Sequence, residues 1–236
     1  MAAFLHLCNQ NATVMSAPIK PDPRLISFNT LRKAVGWLGL LLPAAMIVGN
    51  LFFGHCKVIQ DSNSHYYYTV TGSVFVGILC AVGLFLLSYK GYPDDPRDKY
   101  CSAAAGICAI LIAFFPTNDN STGSCAVIHL ENSTVRNDIH FISATLFFLL
   151  LAYMSYFLFT KSKGTKTKRK ELRNRLYRWC GVLIVVFIGM IALYSFVDGL
   201  AFLSKYKPIF WLEWFALIAF GGSWLIKGEL ILKDNP

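Results

Sequence analysis

Six apolar stretches of the chain carry almost no charge, and they constrain its fold more than any other feature of the sequence. They cover residues 34–53, 70–89, 100–116, 139–160, 179–197 and 208–226. About 20 apolar residues in a helix span the ~30 Å hydrocarbon core of a bilayer. Because that core contains no water, the backbone of each span must satisfy its own hydrogen bonds as a helix. The sequence therefore predicts an all-α polytopic membrane protein, with six transmembrane helices in one bundle over residues 34–228.

The composition of the 236-residue chain agrees, since 55% of its residues are hydrophobic and only 15% are charged. Soluble domains carry about 25% charged residues. The formal net charge is +9, which in a soluble protein would suggest nucleic acid as a partner. Segment 161–178, however, holds nine Lys and Arg and one Glu, so the rest of the chain is nearly neutral. We expect membrane lipids as partners and no nucleic acid.

Lys and Arg residues fall mainly on one side of the predicted membrane. The two terminal segments and the second and fourth loops hold 18 of them, against four in the other three loops. Basic residues in short loops favour the cytoplasmic side. Both termini, residues 1–33 and the tail 229–236, are therefore predicted to be cytoplasmic. Loops 54–69, 117–138 and 198–207 are predicted to lie outside.

The basic segment 161–178 has two interpretations. Basic clusters next to a membrane attract anionic lipid headgroups, at roughly 1 kcal/mol per charge. Lys168, Arg169 and Lys170 are the candidates for that contact. Alternatively the segment only fixes the orientation of the protein in the membrane, which is the interpretation that we favour.

Polar side chains that could form a site gather on the predicted outer side. Ser64 and His65 lie in the first outer loop, His140 at the start of span four, and Asp198 where span five ends. Glu213 lies a few residues inside span six. A carboxylate at that depth is costly unless it faces the bundle and has a partner. These five residues are the candidates for an outward-facing polar pocket.

Three functions compete for this cluster. The favoured one is a pocket that binds a lipid or small amphiphile without chemistry. In the second, His65, His140, Asp198 and Glu213 hold zinc or another divalent metal, whose bound water attacks a lipid ester or amide bond. The sequence contains no HExxH motif, so no cofactor is firmly implied. In the third the residues are structural or contact a membrane partner; a small-solute transporter is disfavoured because the spans lack charges at mid-depth.

Two of the seven cysteines, Cys56 and Cys125, fall in the predicted outer loops. An oxidising compartment would allow a disulfide between the first and second outer loops. The sequence does not decide between this pairing and two separate thiols.

Several short segments together resemble a known family. They are 62–69 (SNSHYYYT), 72–77, 89–92 (YKGY), 114–117 (FFPT), His140 and 220–228 (FGGSWLIKG). They are similar to an uncharacterised family of bacterial six-pass membrane proteins, described as a domain of unknown function. The resemblance extends over about 34–232 and implies six helices and an inner-membrane location in a bacterium, without a known reaction. The layout is also similar to eukaryotic six-pass lipid-remodelling membrane proteins, in architecture alone.

Overall fold

The computed structural model describes residues 27–89, 91, 95–119, 125–161 and 167–232. All regular secondary structure in these ranges is helical, which confirms the predicted all-α fold. Two 3₁₀-helices, Ser64–Tyr68 and Asp198–Tyr206, lie between the longer helices, and a π-helical turn, Met154–Leu158, extends the fourth. The longer helices are α1 (Phe28–Phe53), α2 (Gly72–Ser88), α3 (Arg97–Phe114), α4 (Thr134–Tyr153), α5 (Lys168–Phe196) and α6 (Pro208–Lys227).

The six apolar runs fall largely within these six helices, but the helices are not equally suited to a membrane. Four helical segments are long and apolar enough to cross one: Phe28–Phe53, Thr134–Leu158, Lys168–Phe196 and Pro208–Lys227. Helix α2 is apolar but has only 17 residues. Helix α3 begins with Arg97, Asp98 and Lys99, which lower its mean hydropathy. The fold is that of a membrane protein with four clear candidate spans.

Capping residues place the starts of three helices outside the apolar runs. The side chains of Ser27, Ser133 and Thr167 each accept a hydrogen bond from a backbone N–H three residues further on. Such N-caps stabilise the first turn of a helix. Helix α5 therefore begins at Lys168, and the basic residues 168–178 belong to its first turns rather than to a loop.

Neighbouring helices pack against one another in chain order. Each helix from α1 to α5 contacts the next, and α6 returns to contact α1. The backbones of α1 and α6 come close at Gly36 and Gly221, since a Cβ added at Gly221 would lie 2.5 Å from the Gly36 carbonyl oxygen. Small residues permit this close approach between membrane helices. The six helices thus form a closed ring.

Large apolar side chains face both the interior and the outside of the ring. Inside, the rings of Tyr89, Phe159 and Phe220 pack edge to face around Trp224. Outside, α5 buries only 11% of its apolar stretch against the rest of the bundle. A soluble protein rarely leaves so large an apolar surface uncovered, whereas a helix that faces lipid requires it.

The connections gather at two opposite ends of the bundle. At one end, which we call the disulfide end, the segments 54–71, 115–119, 125–133 and 197–207 meet, and Cys56 is bonded to Cys125 there. At the other end, which we call the basic end, lie the starts of α1, α3 and α5 and the end of α6. Lys161 bridges Asp95 and Asp98 at this basic end, at 2.6 and 3.2 Å.

Candidate functional site

Residues 61–68 are held firmly at the disulfide end. The backbone N–H of Phe210, at the start of α6, donates to the Asp61 carbonyl at 3.1 Å. The Tyr68 hydroxyl donates to the Thr117 carbonyl beyond α3. Lys207 forms an ion pair with the Asp61 side chain. The segment is therefore anchored to both α6 and the region after α3.

Ser64 and His140 form a direct hydrogen bond within this end of the bundle. The Ser64 Oγ lies 2.9 Å from His140 Nε2, and His140 Nδ1 lies 2.8 Å from the carbonyl oxygen of Phe115. A carbonyl oxygen can only accept, so Nδ1 carries the ring proton of the neutral imidazole. Its Nε2 therefore accepts, and Ser64 donates. His140 is only 2% exposed, so its imidazole is packed inside this end of the bundle.

A second serine and histidine pair lies beside the first. The Ser62 Oγ is 2.7 Å from His65 Nδ1, and the same oxygen accepts the His65 backbone N–H at 3.3 Å. The Ser62 hydroxyl can donate to Nδ1, and in that tautomer the ring proton of His65 lies on Nε2. Burial lowers the pKa of His65, against the opposing charge of Asp61. The ring is therefore neutral at physiological pH.

Glu213 is partnered by the first loop, as a carboxylate at that position requires. Its Oε2 accepts from the backbone N–H of Asn63 at 2.7 Å and from the Asn63 side-chain amide at 3.1 Å. These bonds join α6 to the residue directly before Ser64. Glu213 therefore positions the loop that carries Ser64.

The structure brings together part of the predicted outer site. Ser64 and His140 contact each other, while His65 and Glu213 each bond to another residue of the first loop. The side chain of Asp198 lies outside the described residues. Among the described side chains, no group of three or more His, Cys, Asp or Glu could hold a metal ion.

The cysteine pairing that the sequence left open is present in the structure. Cys56 and Cys125 form a disulfide with their Cα atoms 5.7 Å apart. It joins the segment after α1 to the segment between α3 and α4. Disulfides persist in oxidising compartments, so this bond is relevant to the side of the membrane on which the disulfide end lies.

A cavity at the basic end was not anticipated from the sequence. It has a volume of about 190 Å³, and residues of α1, α5 and α6 and the ends of their connections line it. Four cationic side chains and one carboxylate face it, a formal excess of three positive charges among the described lining residues. The charged residues are Arg32, Lys170, Arg173, Lys227 and Glu229.

Aromatic rings and carbonyl groups hold the cations of this cavity in place. Lys227 Nζ lies 5.1 Å from the centroid of the Phe159 ring, and Lys170 Nζ donates to the Phe159 carbonyl at 3.4 Å. Arg173 Nη1 donates to the Leu232 carbonyl at 3.1 Å. These contacts help to position the cationic side chains around the cavity.

Only part of this cavity could be expected from the sequence. Of the three residues considered for contact with anionic lipid, Lys170 lines the cavity, whereas Lys168 and Arg169 are exposed on the outside of α5. The other cations lie near helix ends far apart in the chain. Only the closure of the ring brings Arg32 and Lys227 to the same cavity.

Comparisons with known proteins give a family but no function. Residues 58–224 match the model of DUF998, described as a protein of unknown function. Over 202 residues the chain is 22% identical to Protein O-mannosyl-transferase 1 of Danio rerio, a match that covers 75% of this chain and 26% of the relative. The chain thus spans about a quarter of the length of that curated relative. No solved structure shows a significant match. The resemblance to an uncharacterised family is confirmed, and this chain belongs to the DUF998 family of proteins of unknown function.

Proposed function

We propose that this protein is a six-pass membrane protein that binds the anionic headgroup of a membrane lipid in the cavity at its basic end. One observation carries the proposal: four cations from three helices face one cavity that a single described carboxylate shares. Basic side chains that converge on one cavity attract an anion. A phosphate-bearing headgroup supplies that anion.

The chemistry of the lining suits a phosphate. A guanidinium group forms two parallel hydrogen bonds with phosphate oxygens, and an ammonium group adds a compact charge. Arg32 and Arg173 provide the first kind of group, and Lys170 and Lys227 the second. A cavity of about 190 Å³ has room for a headgroup but not for the acyl chains of a lipid.

The position of the cavity suits a lipid. Lys227 is the last residue of α6, and Lys170 lies in the first turn of α5. The ends of membrane helices lie at the level of the lipid headgroups, where each basic residue gains about 1 kcal/mol from an anionic leaflet. The lipid binding expected from the sequence is thus assigned to the end opposite the predicted outer pocket.

The proposed threading places the basic end in the cytoplasm. The asymmetry of 18 against four basic residues favours this orientation, and a disulfide at the other end is consistent with an oxidising outer compartment. In this arrangement α2 and α3 complete six spans, and both termini are cytoplasmic. The inner membrane of a bacterium is the proposed location.

Lipid retention tests the proposed site. The protein is purified in detergent, loaded with phosphatidylglycerol or phosphatidylcholine, and examined by native mass spectrometry. We expect retention of phosphatidylglycerol over phosphatidylcholine, and a loss of about 30-fold in affinity when Lys227→Gln is combined with Arg32→Gln, since two charges contribute about 2 kcal/mol. Exposed Lys168→Gln is the matched control and keeps wild-type retention.

Two results would contradict the proposal. One is equal retention of the anionic and zwitterionic lipids. The other is an unchanged affinity in the Lys227→Gln, Arg32→Gln variant while Lys168→Gln reduces binding, which would place the lipid on the outside of α5. Competition by inorganic phosphate distinguishes a lipid site from a site for the free anion.

A further inference from the structure

We infer that Ser64 and His140 form a nucleophile and general base that hydrolyse a carboxylic ester of a membrane amphiphile. This activity goes beyond the proposed lipid binding, and its site lies at the opposite end of the bundle. The activity requires three features: a serine hydrogen-bonded to a base, a third group that orients the base, and polar atoms available to a substrate. The described residues supply all three.

The first two features are geometric. Ser64 Oγ is 2.9 Å from His140 Nε2, and the Phe115 carbonyl accepts from Nδ1 at 2.8 Å. The carbonyl fixes the tautomer in which Nε2 has its lone pair toward the serine. In serine hydrolases a carboxylate has this orienting role. Here a main-chain oxygen takes it.

The surroundings hold the pair rigidly. Ser64 opens the 3₁₀-helix Ser64–Tyr68, and Asn63 before it is bonded twice to Glu213. His140 lies within α4, which is stabler than a loop position. A catalytic pair must be held within about 0.5 Å of its working geometry, and these contacts provide that constraint.

The third feature is a set of polar atoms on either side of Ser64. Asn63 Oδ1 and His65 Nε2 are buried and have no hydrogen-bond partner among the described residues. Leaving such a group unsatisfied costs about 1–3 kcal/mol. In the tautomer in which Nδ1 of His65 accepts from Ser62, Nε2 carries a hydrogen and can donate. An ester oxygen only accepts, so it would pair with His65 Nε2, while a hydroxyl group of the substrate would donate to Asn63 Oδ1.

Exposed apolar side chains at this end indicate the class of substrate. Val127, Val135 and Phe202 are 58%, 69% and 68% exposed, although they lie in or next to the connecting segments. Apolar side chains at the end of a membrane bundle contact the interfacial region of the bilayer. A substrate reaching Ser64 from that region has an apolar chain, and its ester group lies at the depth of the serine.

The reaction balances without a further reactant besides water. Ser64 Oγ attacks the ester carbonyl carbon as His140 Nε2 takes its proton. The tetrahedral intermediate expels the alcohol, which receives that proton, and leaves an acyl group on Ser64. Water then attacks the acyl carbon, His140 again takes and returns a proton, and the acid is released with Ser64 restored.

A fluorophosphonate probe tests the pair directly. The probe forms a phosphorus–oxygen bond with an activated serine as fluoride leaves, and mass spectrometry identifies the labelled residue. We expect labelling at Ser64 in wild-type protein, with or without a chelator, and none in Ser64→Ala. His140→Asn should slow labelling about 100-fold, since a general base contributes 10²–10⁴. Hydrolysis of a para-nitrophenyl ester should fall in parallel.

The neighbouring pair provides a matched control. Ser62 also contacts a histidine, but the described residues offer no group that orients His65 through its other nitrogen. The mass spectrum should therefore show the label on Ser64 and none on Ser62. The inference would be overturned if wild-type protein, shown to be folded by a cooperative thermal transition, is not labelled at Ser64. Labelling at Ser62 instead of Ser64 would do the same. When Ser64→Ala does not fold, Ser64→Cys is treated with iodoacetamide to check that reagents reach this position.

Discussion

Asn63 donates its backbone N–H and its side-chain amide to the same carboxylate oxygen of Glu213, at 2.7 and 3.1 Å. One side chain of α6 thus fixes the residue that precedes Ser64. A carboxyl group inside a predicted span has a specific partner, as its depth requires. The partner is a loop residue rather than one of the histidines that were grouped with it.

Removal of the Glu213 carboxylate should loosen the first loop. Glu213→Ala leaves two Asn63 donors without their acceptor, and hydrogen bonds to charged groups contribute about 1.5–3 kcal/mol each. We expect a lower thermal transition of the purified protein and faster proteolysis within 54–71. Glu131→Ala, at an exposed position of the same end, is the control. Equal transitions for the two variants would contradict the role given to Glu213.

Two adjacent glycines should respond differently to alanine. A Cβ at Gly221 would lie 2.5 Å from the Gly36 carbonyl oxygen, whereas a Cβ at Gly222 would have no neighbour within 4 Å. Overpacking against backbone costs about 1–3 kcal/mol. Gly221→Ala should therefore lower the transition temperature in detergent, and Gly222→Ala should not. The reverse order would mean that α1 and α6 do not pack at this point.

The stability of the protein should decrease in mild acid. Burial lowers the pKa of His65 below its ordinary 6.5, so the unfolded chain binds a proton more readily than the folded protein. The linked loss of stability begins near the unfolded pKa and grows as pH falls through the folded one. Unfolding is measured between about pH 8 and about pH 5. His65→Gln should reduce the slope, and exposed His55→Gln should keep it. An equal slope in His65→Gln and wild-type protein would contradict the assignment.

Cysteine labelling should place the two ends of the bundle on opposite sides of the membrane. A membrane-impermeant maleimide added to intact cells should modify Glu131→Cys at the disulfide end and leave Lys168→Cys at the basic end unmodified. Both positions are exposed, so access to reagent does not distinguish them. Labelling of Lys168→Cys alone would reverse the proposed threading.

The helices could be predicted from the sequence because each depends on a local pattern of residues. Each of the six contains an almost uncharged run of nearly membrane length, and the backbone of such a run in lipid satisfies its hydrogen bonds as a helix. The helix boundaries were predicted less accurately where an N-cap residue determines them. Thr167 is the N-cap of α5, and it lies in a segment that was predicted to be a loop because of its many charges.

The sites were only partly predictable, because tertiary packing assembles them. Ser64 and His140 are 76 residues apart, and nothing in their spacing reveals that one donates to the other. Their predicted location on one side of the membrane placed them in one group, and in the structure these two side chains contact each other. The cation-lined cavity needed the contact of α1 with α6, which links Arg32 to Lys227 across nearly the whole chain.

An experimental structure of the protein with bound phosphatidylglycerol tests the central claim most directly. The proposed site requires the lipid phosphate inside the cavity at the basic end, within hydrogen-bond distance of Arg32 or Arg173 and of Lys227 or Lys170. Acyl chains should extend from the cavity along the helices. A phosphate bound only at Lys168 and Arg169 on the outer side of α5, or a cavity closed by the protein's own carboxylates, would contradict the proposal.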